Sequence, residues 1–146
     1  MKTDEIRNAL CNTKLFDDVY SVDTLPARPR GLLVCNLDPS YRPGTHWVAI
    51  YVDPRGKRAE YFDSFGREPC KTIKEYLDRR CKRWTHNTRQ LQSVVSLLCG
   101  HYCIYYCMLR SSGITMREIA NSLSTDTAFN DALVHAFVCR RLLNNN

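Results

Sequence analysis

The segment from His46 to Ser64 reads HWVAIYVDPRGKRAEYFDS and contains two strand patterns joined by a turn. Residues 46–53 and 58–64 are rich in the aromatic and branched side chains that favour strands. Between them, Asp53-Pro54-Arg55-Gly56 has proline at the second position of a turn, where its fixed φ is suited. The segment therefore predicts a β-hairpin, and the rest of the chain is interpreted around it.

Two further strands are predicted on either side of this hairpin. Residues 31–38, GLLVCNLD, follow a cluster of prolines and are apolar on both faces, which is typical of a strand inside a sheet. Residues 84–93, WTHNTRQLQS, are polar with scattered strand-forming residues and predict an edge strand.

Five helices are predicted from their capping and periodicity. Acidic residues in a first turn begin a helix that continues to Leu10, and the boxes Thr72-x-x-Glu75 and Thr115-x-x-Glu118 begin two more. Residues 98–110 and 126–143 form the others, and Ser111-Ser112-Gly113 ends the first of these two. The expected buried faces are Ile73, Leu77, Cys81 and Trp84 in the second helix and Phe129, Leu133, Ala136 and Phe137 in the last.

These elements predict an α+β fold in which a mixed sheet is flanked by helices. The length of 146 residues is that of one domain, so residues 1–146 are interpreted as a single unit, expected to be a monomer. The first twenty residues lack the pattern of a secretory signal, and the longest apolar run is interrupted and too short to cross a bilayer. We therefore expect a protein that is neither secreted nor membrane-bound, whose eight cysteines are thiols.

The stretch QSVVSLLCGHYC, residues 92–103, places Cys99 at the start of a predicted helix. A helix N-terminus and a nearby imidazolium both lower the pKa of a thiol and favour the nucleophilic thiolate. Gly100 has no side chain beside the thiol, so a substrate backbone could approach closely. The backbone N–H of Cys99 and the side-chain amide of Gln92 are candidate donors to an oxyanion.

A general base and its orienting acid are predicted on the hairpin. The beginning of one antiparallel strand faces the end of the next, so His46 and Asp63 are expected at the same rim of the sheet. Trp47 would form an aromatic wall of the substrate site. Asp53 competes with Asp63 for the orienting role, but its position before Pro54 suits a turn-former better.

Taken together, these motifs resemble those of adenain, the adenovirus-type endopeptidase, and of the wider clan that includes the proteases of SUMO and other ubiquitin-like proteins. The matching segments are Gly44-Thr45-His46-Trp47, Tyr61-Phe62-Asp63-Ser64-Phe65-Gly66, and Gln92 followed seven residues later by Cys99-Gly100. The resemblance implies a papain-like site with His46 as base, Asp63 as its orienter, Gln92 in the oxyanion hole and Cys99 as nucleophile. It also implies cleavage of viral precursor proteins at glycine-containing sites during virion maturation, in the host nucleus or cytoplasm and in the virion.

The resemblance further implies two activators, DNA and a short viral peptide, although the chemistry itself needs no cofactor. A net charge of +6 agrees with DNA binding, for which Arg79, Arg80, Lys82 and Arg83 are candidates. Cys81 lies eleven residues before Gln92, where adenovirus enzymes carry the cysteine that pairs with the peptide. Its place on an apolar helix face also suits a core residue.

Other interpretations stay open on the sequence alone. Cys99, Cys103 and Cys107 recur every four residues, which also suits core packing. A zinc site at Cys99, His101 and Cys103 lacks a second ligand pair at suitable spacing, so no metal is expected. The alternative functions are a deubiquitinase or SUMO-type protease acting on host modifiers, and a non-enzymatic, basic DNA-binding packaging protein.

Overall fold

The predicted hairpin is the centre of a five-stranded mixed sheet, whose order is β1-β2-β3-β4-β5. Its two strands, β3 and β4, are antiparallel, with Ala49 opposite Phe62. β2 is antiparallel to β3 on the other side, whereas the outer strands β1 and β5 run parallel to β2 and β4. The mixed α+β architecture expected from the sequence is confirmed.

The computed structural model describes residues 1–145. The strands are β1 (Phe16–Ser21), β2 (Gly31–Asn36), β3 (Trp47–Val52), β4 (Arg58–Phe62) and β5 (Arg83–His86). The helices are α1 (Thr3–Leu10), α2 (Lys71–Arg80), α3 (Cys99–Ser111), α4 (Met116–Ser122) and α5 (Thr127–Asn144). Within these residues, none of the helices has the length and apolar character that crossing a membrane requires.

Both faces of the sheet are covered by helices or loops. Successive side chains of a strand point to opposite sides, so one strand contributes to two cores. In β2, Leu32 and Val34 belong to a core shared with α1, α3, α4 and α5, whereas Leu33 and Cys35 belong to a second core. α2 covers this second core with Ile73 and Leu77. The apolar character of β2 on both faces is thus explained by its interior position.

The strand β1 was not predicted from its sequence, FDDVYS. Two adjacent aspartates conceal the strand pattern, and they are tolerated because β1 is an edge strand with one partner. Asp18 accepts a hydrogen bond of 2.7 Å from the Arg7 guanidinium of α1. β5 is an edge strand as expected, although it is limited to residues 83–86.

The start of α2 differs from the prediction. The helix begins at Lys71 after Cys70, which makes no side-chain capping bond, so the predicted box at Thr72 and Glu75 was wrong. Trp84 lies in β5 and not on α2, but it packs partly against the same core and donates its indole N–H to Asp78. The capping box that begins α4 at Thr115 is confirmed.

The predicted inner face of α5 was wrong except at Phe137, which is partly buried against the core. Asn130, Val134 and Val138 are buried, whereas Phe129 is 58% exposed. The buried amide of Asn130 donates to the carbonyl groups of Leu91 and Ser124, and these bonds satisfy a polar side chain inside the core. The predicted face, which has the largest apolar side chains, is adjacent to the face that is buried.

Candidate active site

His46 and Asp63 meet at one end of the hairpin. The distance between Nε2 of His46 and Oδ1 of Asp63 is 2.9 Å, and the Asp63 side chain is 2% exposed. His46 immediately precedes β3 and Asp63 immediately follows β4, so the antiparallel pairing brings them together. The sequence predicted this juxtaposition.

Cys99 is the first residue of α3, and it lines the same cleft as His46, whose ring lowers the pKa of the thiol. Because Nε2 of His46 already contacts Asp63, Nδ1 is the ring nitrogen that remains for the thiol. The backbone N–H groups of Trp47 and Gly100 also lower the pKa of the thiol, because they favour its charged form. Cys99 and His46 therefore share one cleft, and Asp63 is hydrogen-bonded to the His46 ring.

The pKa shifts of Cys99 and His46 favour a thiolate beside an imidazolium. Burial by itself raises the pKa of Cys99, but the hydrogen bond and charge of His46, with the Trp47 and Gly100 N–H groups, lower it overall. Burial likewise lowers the pKa of His46, but hydrogen bonds and charges from Asp63 and Cys99 outweigh it and raise the value to about 9. The N-terminus of α3 adds a favourable dipole for the anion.

The carboxylate of Asp63 is held by backbone and amide groups. Its Oδ1 accepts a second hydrogen bond from the Phe65 N–H, at 2.9 Å. The buried side chain of Asn87 accepts from the Asp63 N–H at 2.9 Å and donates to the Asp63 carbonyl at 2.6 Å. Asn87 was missed in the sequence, where an asparagine in a polar segment carries no distinguishing signal.

Gly66 allows the turn that follows Asp63. Its φ is +70°, and a Cβ atom there would lie 2.6 Å from the carbonyl carbon of Arg89. Any other residue would be strained by its backbone angle and would collide with the backbone of the facing segment. This explains why a glycine ends the Asp63-Ser64-Phe65-Gly66 motif.

Gln92 lies in the same cleft as Cys99, but its amide is already bound. Nε2 donates to the carbonyl of Ser96 at 3.0 Å and to its hydroxyl at 2.9 Å. The Ser64 hydroxyl donates to Oε1 of Gln92 at 2.6 Å, which fixes the orientation of the amide. An oxyanion would have to replace Ser96 as an acceptor of this amide.

The cleft around Cys99 has a volume of about 360 Å³. Trp47 contributes to its wall, although it is largely buried and donates its indole N–H to the Met1 carbonyl. Gly100 instead faces α1, because a Cβ atom there would contact Met1 and Ile6. The other lining residues are Met1, Gly44, Thr45, Phe65, Val94, Ser96 and Leu97.

One rim of the cleft is a loop with exposed aliphatic side chains. Val94, Val95 and Leu97 are 71%, 86% and 88% exposed. They lie between Gln92 and Cys99, so a polypeptide entering the cleft would meet an apolar surface on this side.

The remaining candidate residues lie away from this cleft. Cys81 is buried in the core beneath α2, which agrees with a core position, and all eight cysteines are free thiols. Arg79, Arg80, Lys82 and Arg83 are exposed. Lys82 and Arg83 also line a groove of about 380 Å³, together with Asp53, Arg55, Lys57 and Arg58.

Asp53 belongs to the hairpin turn, as its position before Pro54 suggested. Its carboxylate accepts hydrogen bonds from the N–H groups of Lys57 and Arg58, at 2.7 and 3.2 Å. Among residues 1–145, no three histidine, cysteine or acidic side chains are grouped so that they could hold a metal ion.

Comparison with known proteins finds similarity to viral proteases. The chain is 30% identical over 115 residues to a cysteine protease of African swine fever virus, an alignment that covers 71% of this chain and 42% of the relative. It is 28% identical over 123 residues to a SUMO-1 cysteine protease of another isolate of this virus, covering 75% of this chain and 45% of the relative. The chain thus spans less than half the length of these relatives, and no protein-family model matches it.

The fold is similar to that of a solved viral enzyme. A crystal structure of an African swine fever virus protease superposes with a TM-score of 0.63 over 92% of this chain and 66% of that chain, at 17% identity. At this identity the likeness concerns the fold alone. The chain therefore has the α+β fold of a papain-like viral cysteine protease, with Cys99 and His46 in one cleft and the buried Asp63 carboxylate hydrogen-bonded to His46.

Proposed function

We propose that this chain is a cysteine peptidase whose nucleophile is Cys99. The observation that carries the proposal is the cleft that Cys99 and His46 line together, with Nε2 of His46 2.9 Å from the Asp63 carboxylate. The similarity to viral cysteine proteases supports it.

In the proposed reaction the Cys99 thiolate adds to the carbonyl carbon of a peptide bond and forms an oxyanion. The N–H of Cys99, which has no intrahelical acceptor at the first position of α3, stabilises this charge, and the Gln92 amide joins it after leaving Ser96. The intermediate collapses as the C–N bond breaks, and the His46 imidazolium gives its proton to the leaving amine.

The resulting thioester is hydrolysed with the help of the same histidine. Neutral His46 accepts a proton from water as the water attacks the thioester carbonyl. Breaking the C–S bond releases the carboxylate product and restores the thiolate beside the imidazolium. Asp63 orients the His46 ring through their hydrogen bond.

Two substrate classes remain for this site. The motif resemblance supports viral precursor proteins cut at glycine-containing sites, and the SUMO-1 protease name of one relative supports ubiquitin-like modifiers. Parallel assays with glycine-site peptides and with ubiquitin-like fusions ending in Gly-Gly separate the two classes. A kcat/KM at least tenfold higher for one class identifies it.

DNA and an activating peptide are proposed as further partners, in the host cell and the virion. The exposed basic residues of α2 and β5 support DNA binding. The buried position of Cys81 makes it a poor candidate for a disulfide with such a peptide, because the thiol would first have to be exposed. A purely DNA-binding role gives no reason for the paired Cys99 and His46.

The experiment that tests the peptidase function is substitution of the nucleophile. Cys99→Ala is expected to abolish cleavage while leaving the circular dichroism spectrum and melting temperature nearly unchanged, because only one sulfur atom is lost. Cys103→Ala, in the same helix but in the core, is the matched control and should retain activity. Undiminished cleavage by the Cys99→Ala protein would contradict the proposal.

A further inference from the structure

The helix α5 carries an apolar surface that is largely exposed within residues 1–145, although Phe137 packs partly against the core. Phe129 is 58% exposed and Leu133 is 37% exposed, and Ala136 beside them is also exposed. Each residue of an α-helix turns about 100° around its axis, so positions 129, 133, 137 and 140 follow one line along the surface. We call the line formed by Asp126, Phe129, Leu133, Phe137 and Arg140 the outer stripe of α5.

The outer stripe is symmetric about its centre. Its members are separated by three, four, four and three residues, with Leu133 in the middle. On either side of Leu133 stands a phenylalanine, and the ends carry an acid, Asp126, and a base, Arg140. Within residues 1–145 neither of these charged side chains forms an ion pair.

From this symmetry we propose that the outer stripe binds a second copy of this chain, with the two α5 helices antiparallel around a twofold axis at Leu133. A twofold interface requires a surface that is complementary to itself. In this arrangement each Phe129 faces the partner's Phe137, and each Asp126 faces the partner's Arg140. Antiparallel helix dipoles also attract one another.

The surface beside the outer stripe has a recess for the exposed phenylalanine. A groove of about 510 Å³ lies between α3 and α5, and its wall includes Met108, Leu133, Ala136 and Phe137. Phe137 is itself held in place by an edge-to-face contact with Tyr105, at 5.1 Å between ring centroids. The partner's Phe129, placed opposite Phe137, enters this groove, and the flexible side chain of Met108 adapts to it.

The opposed charges favour a second copy over an unrelated apolar partner. A partner of different sequence would need a base opposite Asp126 and an acid opposite Arg140. A second copy of α5 in the antiparallel orientation supplies both. The proposal replaces the monomer expected from the sequence. It does not rest on the peptidase function, because the outer stripe shares no residue with the cleft.

The test is the molar mass of the whole chain, measured by light scattering or sedimentation equilibrium over a series of protein concentrations. The wild-type chain should approach twice its mass of 16.9 kDa as concentration rises. Leu133→Glu should remain at the single-chain mass, because it sets two carboxylates against each other on the axis. Ala128→Glu, an equal change of charge on an exposed position outside the stripe, should leave the dimer intact.

A second variant is the control for misfolding of the Leu133→Glu protein. Phe129→Ala removes a mostly exposed side chain, and it should weaken dimer formation about tenfold, as truncation of an interface aromatic does. Arg140→Glu should weaken it as well, and added salt should weaken the wild-type dimer. A wild-type protein that stays monomeric up to about 1 mM, or a Phe129→Ala protein that dimerises as well as wild type, overturns the proposal.

Discussion

At the scale of single residues, the chemistry of the cleft depends on which group holds one proton. Asp63 is almost fully buried and hydrogen-bonded to His46 at 2.9 Å, so it stabilises the imidazolium form of the ring. The charged ring in turn stabilises the thiolate of Cys99. Both pKa shifts favour the thiolate–imidazolium pair over the neutral pair.

This pairing predicts a bell-shaped pH dependence of kcat/KM for peptide cleavage. Activity should fall above pH about 9, where His46 loses the proton needed by the leaving amine. It should also fall on the acid side, where the thiolate becomes protonated, at a pH below the usual thiol pKa of about 8.5.

The Asp63→Asn variant tests the cause of the alkaline limb. Removing the carboxylate removes a charge that raises the pKa of His46, so the limb should move to lower pH by about one unit or more. Asp53→Asn, whose side chain lies in the hairpin turn, is the control and should leave the profile unchanged. An unshifted limb in Asp63→Asn would show that Asp63 does not set this pKa.

A second prediction at this scale concerns the orientation of Gln92. The Ser64 hydroxyl donates to Oε1 of Gln92, which keeps the amide nitrogen turned towards Ser96 and the cleft. Ser64→Ala should lower kcat about tenfold with KM little changed, as expected for a lost hydrogen bond that acts only through a transition-state donor. Gln92→Ala should lower kcat about a hundredfold or more.

The double variant shows whether Ser64 acts through Gln92. Once Gln92 is alanine there is no amide to orient, so adding Ser64→Ala should cause no further loss of kcat. Equal losses on both backgrounds would mean that Ser64 has only a general structural role.

At the scale of elements, α3 must be held on the sheet so that Cys99 reaches His46. Glu60 of β4 accepts hydrogen bonds from the Tyr106 hydroxyl at 2.6 Å and from Arg110 at 2.9 Å, both on α3. The ring of Phe62 in β4 also stacks on the ring of Tyr106 in α3, with centroids 4.6 Å apart. The hydrogen bonds of Glu60 to Tyr106 and Arg110 are partly buried and lie in the C-terminal half of α3, away from Cys99.

Removing the acceptor should destabilise the domain. Glu60→Ala leaves the buried Tyr106 hydroxyl and the Arg110 charge without their partner, and it should lower the free energy of unfolding by about 3 kcal/mol. Glu60→Gln keeps an acceptor oxygen and should cost less. Urea denaturation checks both values, with Glu75→Ala as the exposed control, expected within about 0.5 kcal/mol of wild type.

The elements also show where sequence patterns succeed and fail. The strands β2 to β4 and the helix α3 were predictable because continuous apolar runs bounded by turns leave few alternatives. β1 was missed because an edge strand can carry charges. The buried face of α5 was misjudged because Asn130 is buried with hydrogen bonds to the nearby Ser124 and to Leu91, which lies 39 residues away in the chain.

At the scale of the whole molecule, the basic groove and the cleft lie at opposite ends of the sheet. Arg55, Lys57 and Arg58 surround the hairpin turn, whereas His46 and Asp63 lie at the other end of the same strands. β3 has six residues, so the two sites are separated by about 20 Å along the strand. A polyanion in the groove would therefore leave the cleft open.

This separation predicts independent effects on DNA binding and on cleavage. Lys82→Ala combined with Arg83→Ala should weaken binding to duplex DNA and reduce the slope of log K against log salt by about 2. Cleavage of a short peptide without DNA should be unchanged. Fluorescence anisotropy at several salt concentrations measures the slope, with Lys71→Ala together with Lys74→Ala, at exposed positions early in α2, as the control pair. A slope unchanged by the Lys82 and Arg83 substitutions would place the DNA elsewhere.

The amino-acid sequence by itself determined the hairpin, the helix that begins at Cys99 and the meeting of His46 with Asp63, because strand pairing and helix starts are local consequences of residue order. Only the tertiary structure decided the contacts that join distant segments. It placed Asn87 on the backbone of Asp63, the Ser64 hydroxyl on the amide oxygen of Gln92, and Phe129 of α5 on the outside. These depend on how buried polar groups find partners across the fold, and such pairings leave no periodic pattern in the chain.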